Sequence, residues 1–301
     1  IGYHFVLPFV APDADIGALR FSQLARTINI PLKHIRLGKD YMAMVQNPPH
    51  GHGKRMNPCI DCKIFFLRCA AKSMEEEGAS FVATGEVIGQ RPMSQMRHMM
   101  RHIEKESGLE GKLLRPLCAK KLPPTDAEKA GTVDREKLLD ISGRGRHRQM
   151  ELARHFGISD FQSPAGGCLF TDVKISQRVR DLLAHHKDYE MIDVYLLTVG
   201  RHFRLNARAK CIIARNEHEN NELSKYKRDA DFFFEPVFKG PCAFVRGIIT
   251  DAEREIILGA ILRYGKYADS GKEIIQLSRH TTVFLKGNEP ITDEKLKNMM
   301  I

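Results

Sequence analysis

No apolar run in this chain approaches the ~20 residues that a membrane-crossing helix needs. The longest, at residues 60–71 and 194–199, are interrupted by charge or far too short, so no membrane partner is expected. The opening residues do not read as a secretory signal. The chain opens on Ile1, Gly2, Tyr3 and His4 and moves directly into a strand-like run, which places its natural start upstream of Ile1. Seven cysteines, an odd number without an export signal, argue against a disulfide framework. Ligand or redox chemistry in a reducing, cytoplasmic compartment is the expectation. There is no internal repeat and no low-complexity tract.

What is present is enough for two cores: 301 residues, 43% of them hydrophobic. The formal charge is +10, from 47 basic and 37 acidic residues, with more of the excess in the first half than in the second. Such a balance suits a polyanionic partner, and equally suits solvated basic faces. Location favours the partner. Lys54 with Arg55, Lys120 with Lys121, and Arg144, Arg146 and Arg148 all sit beside Gly or Pro in loop-like stretches, where backbone phosphates can be gripped.

Hydrophobic periodicity gives a strand over residues 4–8, a helix over 16–28 and a strand over 34–37. A helix over 59–77 follows, stopped by Gly78, then a short strand at 81–84, a helix at 94–106 and a strand end at 113–116. Helices at 135–141 and 148–156 complete the first part. This alternation predicts α/β architecture with a parallel sheet over residues 1–172. Residues 173–301 read differently, as a smaller α+β domain with a helix at 175–184 and strands at 194–199, 210–214, 231–234 and 243–247.

The densest chemical signal is N-P-C-x-x-C-K at residues 57–63, which sets Cys59 and Cys62 at a helix start. One turn brings such thiols together, and a helix N-terminus favours thiolate. Two half-buried core cysteines would look the same. Cys168, in S-P-A-G-G-C-L at residues 163–169, follows two glycines that free the backbone for close approach, although an ordinary turn also uses them. Cys69, Cys211 and Cys242 read as structural, and Cys118 ranks below the motif cysteines. A second signal is A-T-G-E-V-I-G-Q-R-P-M-S-Q at residues 83–95. Gly85 and Gly89 there would let a nucleotide approach the carboxyl end of a strand, or serve a plain loop.

Together with R-P-L-x-A-K-x-L-P-P-T at 115–125 and I-S-G-R-x-R at 141–146, these motifs resemble the PP-loop tRNA thiolases, over about the first 170 residues. The resemblance implies ATP-dependent tRNA uridine thiolation: adenylation of the base, then sulfur transfer. It implies ATP with Mg2+, bound at Leu7, Gly85, Gln90, Arg91, Ser94 and Gln95. Cys59, Cys62 and Cys168 match the positions of catalytic cysteines that carry persulfide or ligate a [4Fe–4S] cluster. The implied partners are tRNA and a sulfur donor, a protein persulfide or sulfide; a homodimer stays open. The family's Ser-Gly-Gly-x-Asp-Ser loop is absent from this sequence and is expected upstream with the first strand and helix. A non-catalytic RNA-binding protein on a degenerate nucleotide fold is the competing reading.

In the second part, residues 200–205 and 213–223 resemble the RNA-binding module of NFACT-type proteins. That likeness makes Arg201, Arg204 and Arg215, with Lys225, the expected phosphate contacts, joining Lys54, Arg55, Arg144, Arg146 and Arg148. Phe203 and Tyr226 are the expected stacking faces.

Overall fold

The computed structural model describes residues 1–159, 168–267, 272–278 and 280–301. The chain divides into two compact units: Ile1–Leu7 with Asp15–Thr171, and Pro8–Ala14 with Asp172–Ile301. Among the described residues, no helix is long and apolar enough to cross a membrane.

The first unit contains β1 (Gly2–Val6), α1 (Arg20–Thr27), β2 (Leu32–Arg36), α2 (Lys39–Gln46) and α3 (Cys59–Glu76). After these come β3 (Val82–Ala83), α4 (Arg97–Glu106), β4 (Leu113–Leu114), α5 (Asp126–Lys129) and α6 (His147–His155). The 18-residue helix α3 organises them. It begins after Pro58 and ends at Gly78, whose φ of +61° suits glycine, with Ala79 N donating back to Met74 O. Ile60, Ile64, Leu67 and Met74 form its buried stripe, packed with Ile103 of α4, Leu109 and Leu113.

The parallel pairing of this unit lies in two separate two-stranded ladders, β1–β2 and β3–β4. One continuous parallel sheet is not formed among the described residues. A groove of about 790 Å³ is lined by Gly2, Tyr3 and Phe5 and by residues 81–84. Residues 135–141 form only a single 3-10 turn, Arg135–Lys137. The backbone beyond is drawn away, with Leu139 N donating to Pro116 O and Ile141 N to Leu117 O.

The second unit contains α7 (Val173–His185), α8 (Met191–Leu196), β5 (Arg201–Asn206), β6 (Ala209–Ile213), α9 (Glu217–Lys225) and β7 (Phe232–Pro236). It continues with β8 (Ala243–Arg246), α10 (Asp251–Tyr264), β9 (Glu273–Ser278), β10 (Thr282–Lys286) and α11 (Asp293–Met299). Its six strands form one antiparallel sheet in the order β10-β9-β7-β8-β6-β5. The period-2 alternation of a strand decides which side chain goes where. Cys211, Ile213, Phe234, Ala243 and Val245 pack with Ile257 and Ile261 of α10 and Leu296 of α11. Ile212, Phe233 and Phe244 pack with Ile192 and Leu196 of α8 and Leu223 of α9. Each fully buried Phe contributes about 2 kcal/mol through apolar area removed from water.

Residues 194–199, expected as a strand, instead end α8 and its following turn. The Glu190–Asp193 capping box starts a helix just upstream, and a short apolar run buried all round carries no periodicity to separate helix from strand.

Gly247, directly after β8, has a φ of +96°, and a Cβ there would lie 1.7 Å from the carbonyl oxygen of Arg208. Gly247→Ala is expected to lower unfolding free energy by about 2–4 kcal/mol, read by urea titration of the intact chain. A loss below about 0.5 kcal/mol would show that the β5–β6 turn yields freely.

Candidate functional site

In the first unit the sequence motifs meet. The helix turn of N-P-C-x-x-C-K places Lys63 on Glu86 of the residue 83–95 loop. Arg115 of R-P-L, 2% exposed, donates to Glu86 at 3.1 Å, to Glu104 of α4 at 2.7 Å and to Met100 O at 3.2 Å. Cys118 donates its thiol hydrogen to Glu86 O at 3.3 Å. The I-S-G-R turn joins from the other side, Gly143 N donating to Ile88 O at 2.7 Å. Burial opposes ionisation of Glu86, yet Lys63 and Arg115 together hold its carboxyl below the ordinary range.

The three motif cysteines belong to this assembly, each held by a polar side chain. Cys59 donates to Ser94 Oγ at 3.3 Å, Cys62 lies 3.2 Å from Tyr41 OH, and Cys168 donates to Asn57 Oδ1 at 3.7 Å. Met56 N donating to Phe170 O at 3.2 Å draws the Cys168 segment onto the N-P-C loop. Burial pushes the Cys62 thiol up to about 12, and proximity to Cys168 and Cys59 adds to the effect. Cys168 is likewise raised by burial first and then by Cys59, with Arg91 working against both. The thiols of Cys62 and Cys168 are therefore protonated near neutrality, which keeps their nucleophilicity low. Among the described residues no group of three or more His, Cys, Asp or Glu side chains is arranged to hold a metal ion.

The residue 83–95 loop has open space beside it. A Cβ at Gly85 would meet nothing within 4 Å. Thr84 Oγ1 and Gln95 Oε1 are buried without a hydrogen-bond partner in the chain, the kind of loss that buried oxygens avoid unless a ligand or water completes them. Ser94 is fully buried, Gln90 and Arg91 are half-buried in the turn, and Leu7 follows β1. Met93 in the same turn takes a φ of +65°, and Arg55 of the basic loop takes +61°, both costly for side-chain-bearing residues. Lys54 and Arg144 are exposed, Arg146 is half-buried, and Arg148 is exposed but paired with Asp140 at 2.7 Å.

The second unit has a basic cavity of about 600 Å³ lined by Arg201, Arg215, Lys239 and Lys266 against two carboxylates, Glu217 and Glu235. Phe238 and Tyr264 supply aromatic walls, and the Arg201 guanidinium lies 4.4 Å from the Tyr264 ring centroid. Arg215 is held by Glu219 but keeps 47% of its side chain exposed. Sequence reasoning found Arg201 and Arg215 and missed Lys239, Lys266 and Tyr264, which reach the cavity from separate elements. Arg204 turns elsewhere, its fork spent on both oxygens of Asp181. Phe203 is 1% exposed in the core and offers no stacking face, because its place on β5 points it at α10 and α11. Tyr226 donates to Asp13, and Lys225 pairs with Glu222.

Residues 200–300 match the family described as the NFACT protein RNA binding domain. No curated protein matches the chain significantly. Among solved structures, the chain is similar to the C-terminal part of the fibronectin/fibrinogen-binding protein from Streptococcus suis. That likeness has 13% identity and a TM-score of 0.28, over 80% of this chain and 94% of the other.

Removing Arg115 would leave Glu86 and Glu104 buried beside each other without their shared cation. Arg115→Met is expected to cost about 3–5 kcal/mol in chemical denaturation. In the wild type, a carboxyl held low stabilises the fold fully above the ordinary carboxylate range, and that contribution is lost as pH falls through its depressed value. The variant should show a smaller acid-side loss, because Lys63 alone then holds Glu86; an unchanged pH profile would remove the Arg115–Glu86 pair from the account.

Proposed function

We propose that this chain is an RNA-binding protein that grips single-stranded RNA at the basic cavity of its second unit. The observation that carries the reading is a coincidence of position. The NFACT RNA-binding match spans residues 200–300, and the cavity lined by Arg201, Arg215, Lys239, Lys266 and Tyr264 lies almost wholly within them. Guanidinium and ammonium groups supply phosphate contacts, and an aromatic wall supplies a stacking face that every base can use. Neutralising Arg201 and Arg215 together (Arg201→Gln, Arg215→Gln) should weaken binding of a single-stranded RNA measured by fluorescence anisotropy. Each lost phosphate contact should flatten the log–log salt slope by about 0.7. An unmoved slope would make the cavity a solvated rim.

A second reading is favoured by the first unit: ATP-dependent thiolation of tRNA. Its support is a loop whose buried Thr84 and Gln95 oxygens lack partners and whose Ser94 accepts from Cys59 at 3.3 Å. Bound ATP would supply an adenylate leaving group on the base, and Thr84, Gly85 and Gln95 are the residues that would take the nucleotide. The thiols would carry the sulfur, and burial would exclude water from it. Because Gly85 faces open space, Gly85→Val should leave the fold intact while abolishing ATP binding by the intact chain. Cys168→Ala should abolish thiouridine formation in tRNA. Unchanged nucleotide affinity in the first variant, or wild-type thiolation in the second, rejects this reading and leaves the RNA-binding one standing.

A further inference from the structure

Lys210 of β6 is 4% exposed, inside a strand covered on both faces. Its ammonium has three hydrogens to donate and makes no hydrogen bond within the chain. Its ion-pair partner, Asp181, stands 3.5 Å away with both oxygens engaged by Arg204. A buried cation in this condition is costly, and burial drives its pKa down to about 8.

Lys210 lines a cavity of about 400 Å³ in the second unit, together with Asp188, Asp193, Asp231, Phe244 and Arg246. That volume lies within the ~300–1,000 Å³ of small-molecule sites. Its chemistry discriminates among occupants. His185, His186 and Lys187 also line it, and Asp193 is already paired with Arg246 at 2.6 Å, so the lining is mixed rather than of one sign. A neutral molecule with acceptors and donors set side by side satisfies both kinds of lining.

We propose that this cavity binds a guanine base, with the Lys210 ammonium donating to O6 and N7 and lining carboxylate accepting from N1–H and the N2 amino group. Lysine paired with guanine O6 and N7 is a recurrent base contact, and an unstacked base exposes its Watson–Crick edge to a protein. Adenine lacks the paired acceptors, and the pyrimidines lack N7. The inference rests on the RNA-binding reading, which it deepens by naming the base. The site is separate from the basic cavity of Arg201 and Arg215, with which it shares no lining residue.

The test is isothermal titration of the intact chain with GMP, AMP, CMP and UMP, which share their phosphate and differ in the base. GMP is expected to bind at least tenfold more tightly than the others, and Lys210→Met to erase that preference. Equal affinities, no binding of any of the four, or a preference that survives in a folded Lys210→Met chain would overturn the proposal. The wild-type comparison decides even if the variant misfolds. Anisotropy with an adenine-only RNA separates the two readings. Binding there without GMP preference sinks the guanine site alone, whereas GMP preference without RNA binding sinks the RNA-binding reading alone.

Discussion

The first unit depends on one buried ion cluster. Arg115 can lie at 2% exposure only because Glu86 and Glu104 both accept from it, and Glu86 tolerates its own burial only because Lys63 answers from α3. That single carboxylate joins the start of α3, the loop after β3 and the strand end before Cys118. A structure built this way is specific more than strong. Taking charges out of water costs about as much as their attraction returns, so the cluster chooses one arrangement of the motifs and adds little net stability.

The same site shows restraint in its chemistry. Burial holds Cys62 and Cys168 as thiols, and the charges of Lys63 on the first and Arg91 on the second do not reverse this. Arg91 is the one guanidinium acting on Cys168, and it is outweighed. A site that must deliver sulfur would need its thiols activated by something added to it. A site that binds RNA needs nothing added, since the guanidinium and ammonium groups around the second unit's cavity are charged as they stand.

Much of this was legible in the sequence. The extent of α3 followed from its apolar spacing and Gly78, and the three cysteines were singled out from the residues around them. What was lost has physical causes. Residues 194–199 are apolar at successive positions, and burial on all sides erases the period that separates helix from strand. Arg204 and Phe203 looked like Arg201 in sequence, but alternation on β5 turned Phe203 into the core, and Asp181, more than twenty residues earlier, claimed Arg204. Lys210 left a trace that reasoning passed over: a lone charge inside A-K-C-I-I-A, a run otherwise fit only for the interior. The partners of each thiol, Ser94, Tyr41 and Asn57, come from distant positions that no spacing rule connects.

The strand order of the second unit also governs how it comes into being. β7 lies between β8 and β9, and β6 between β5 and β8. During synthesis the β5–β6 hairpin can close as soon as it emerges, but β7 waits for β9, about forty residues later, before both of its edges are covered. Until then Phe232, Phe233 and Phe234 present an apolar strand with an open edge to whatever else is in the cell. Pairings this far apart along the chain also make for slow closure. The length of that interval is set by the topology of the sheet and by the rate of translation.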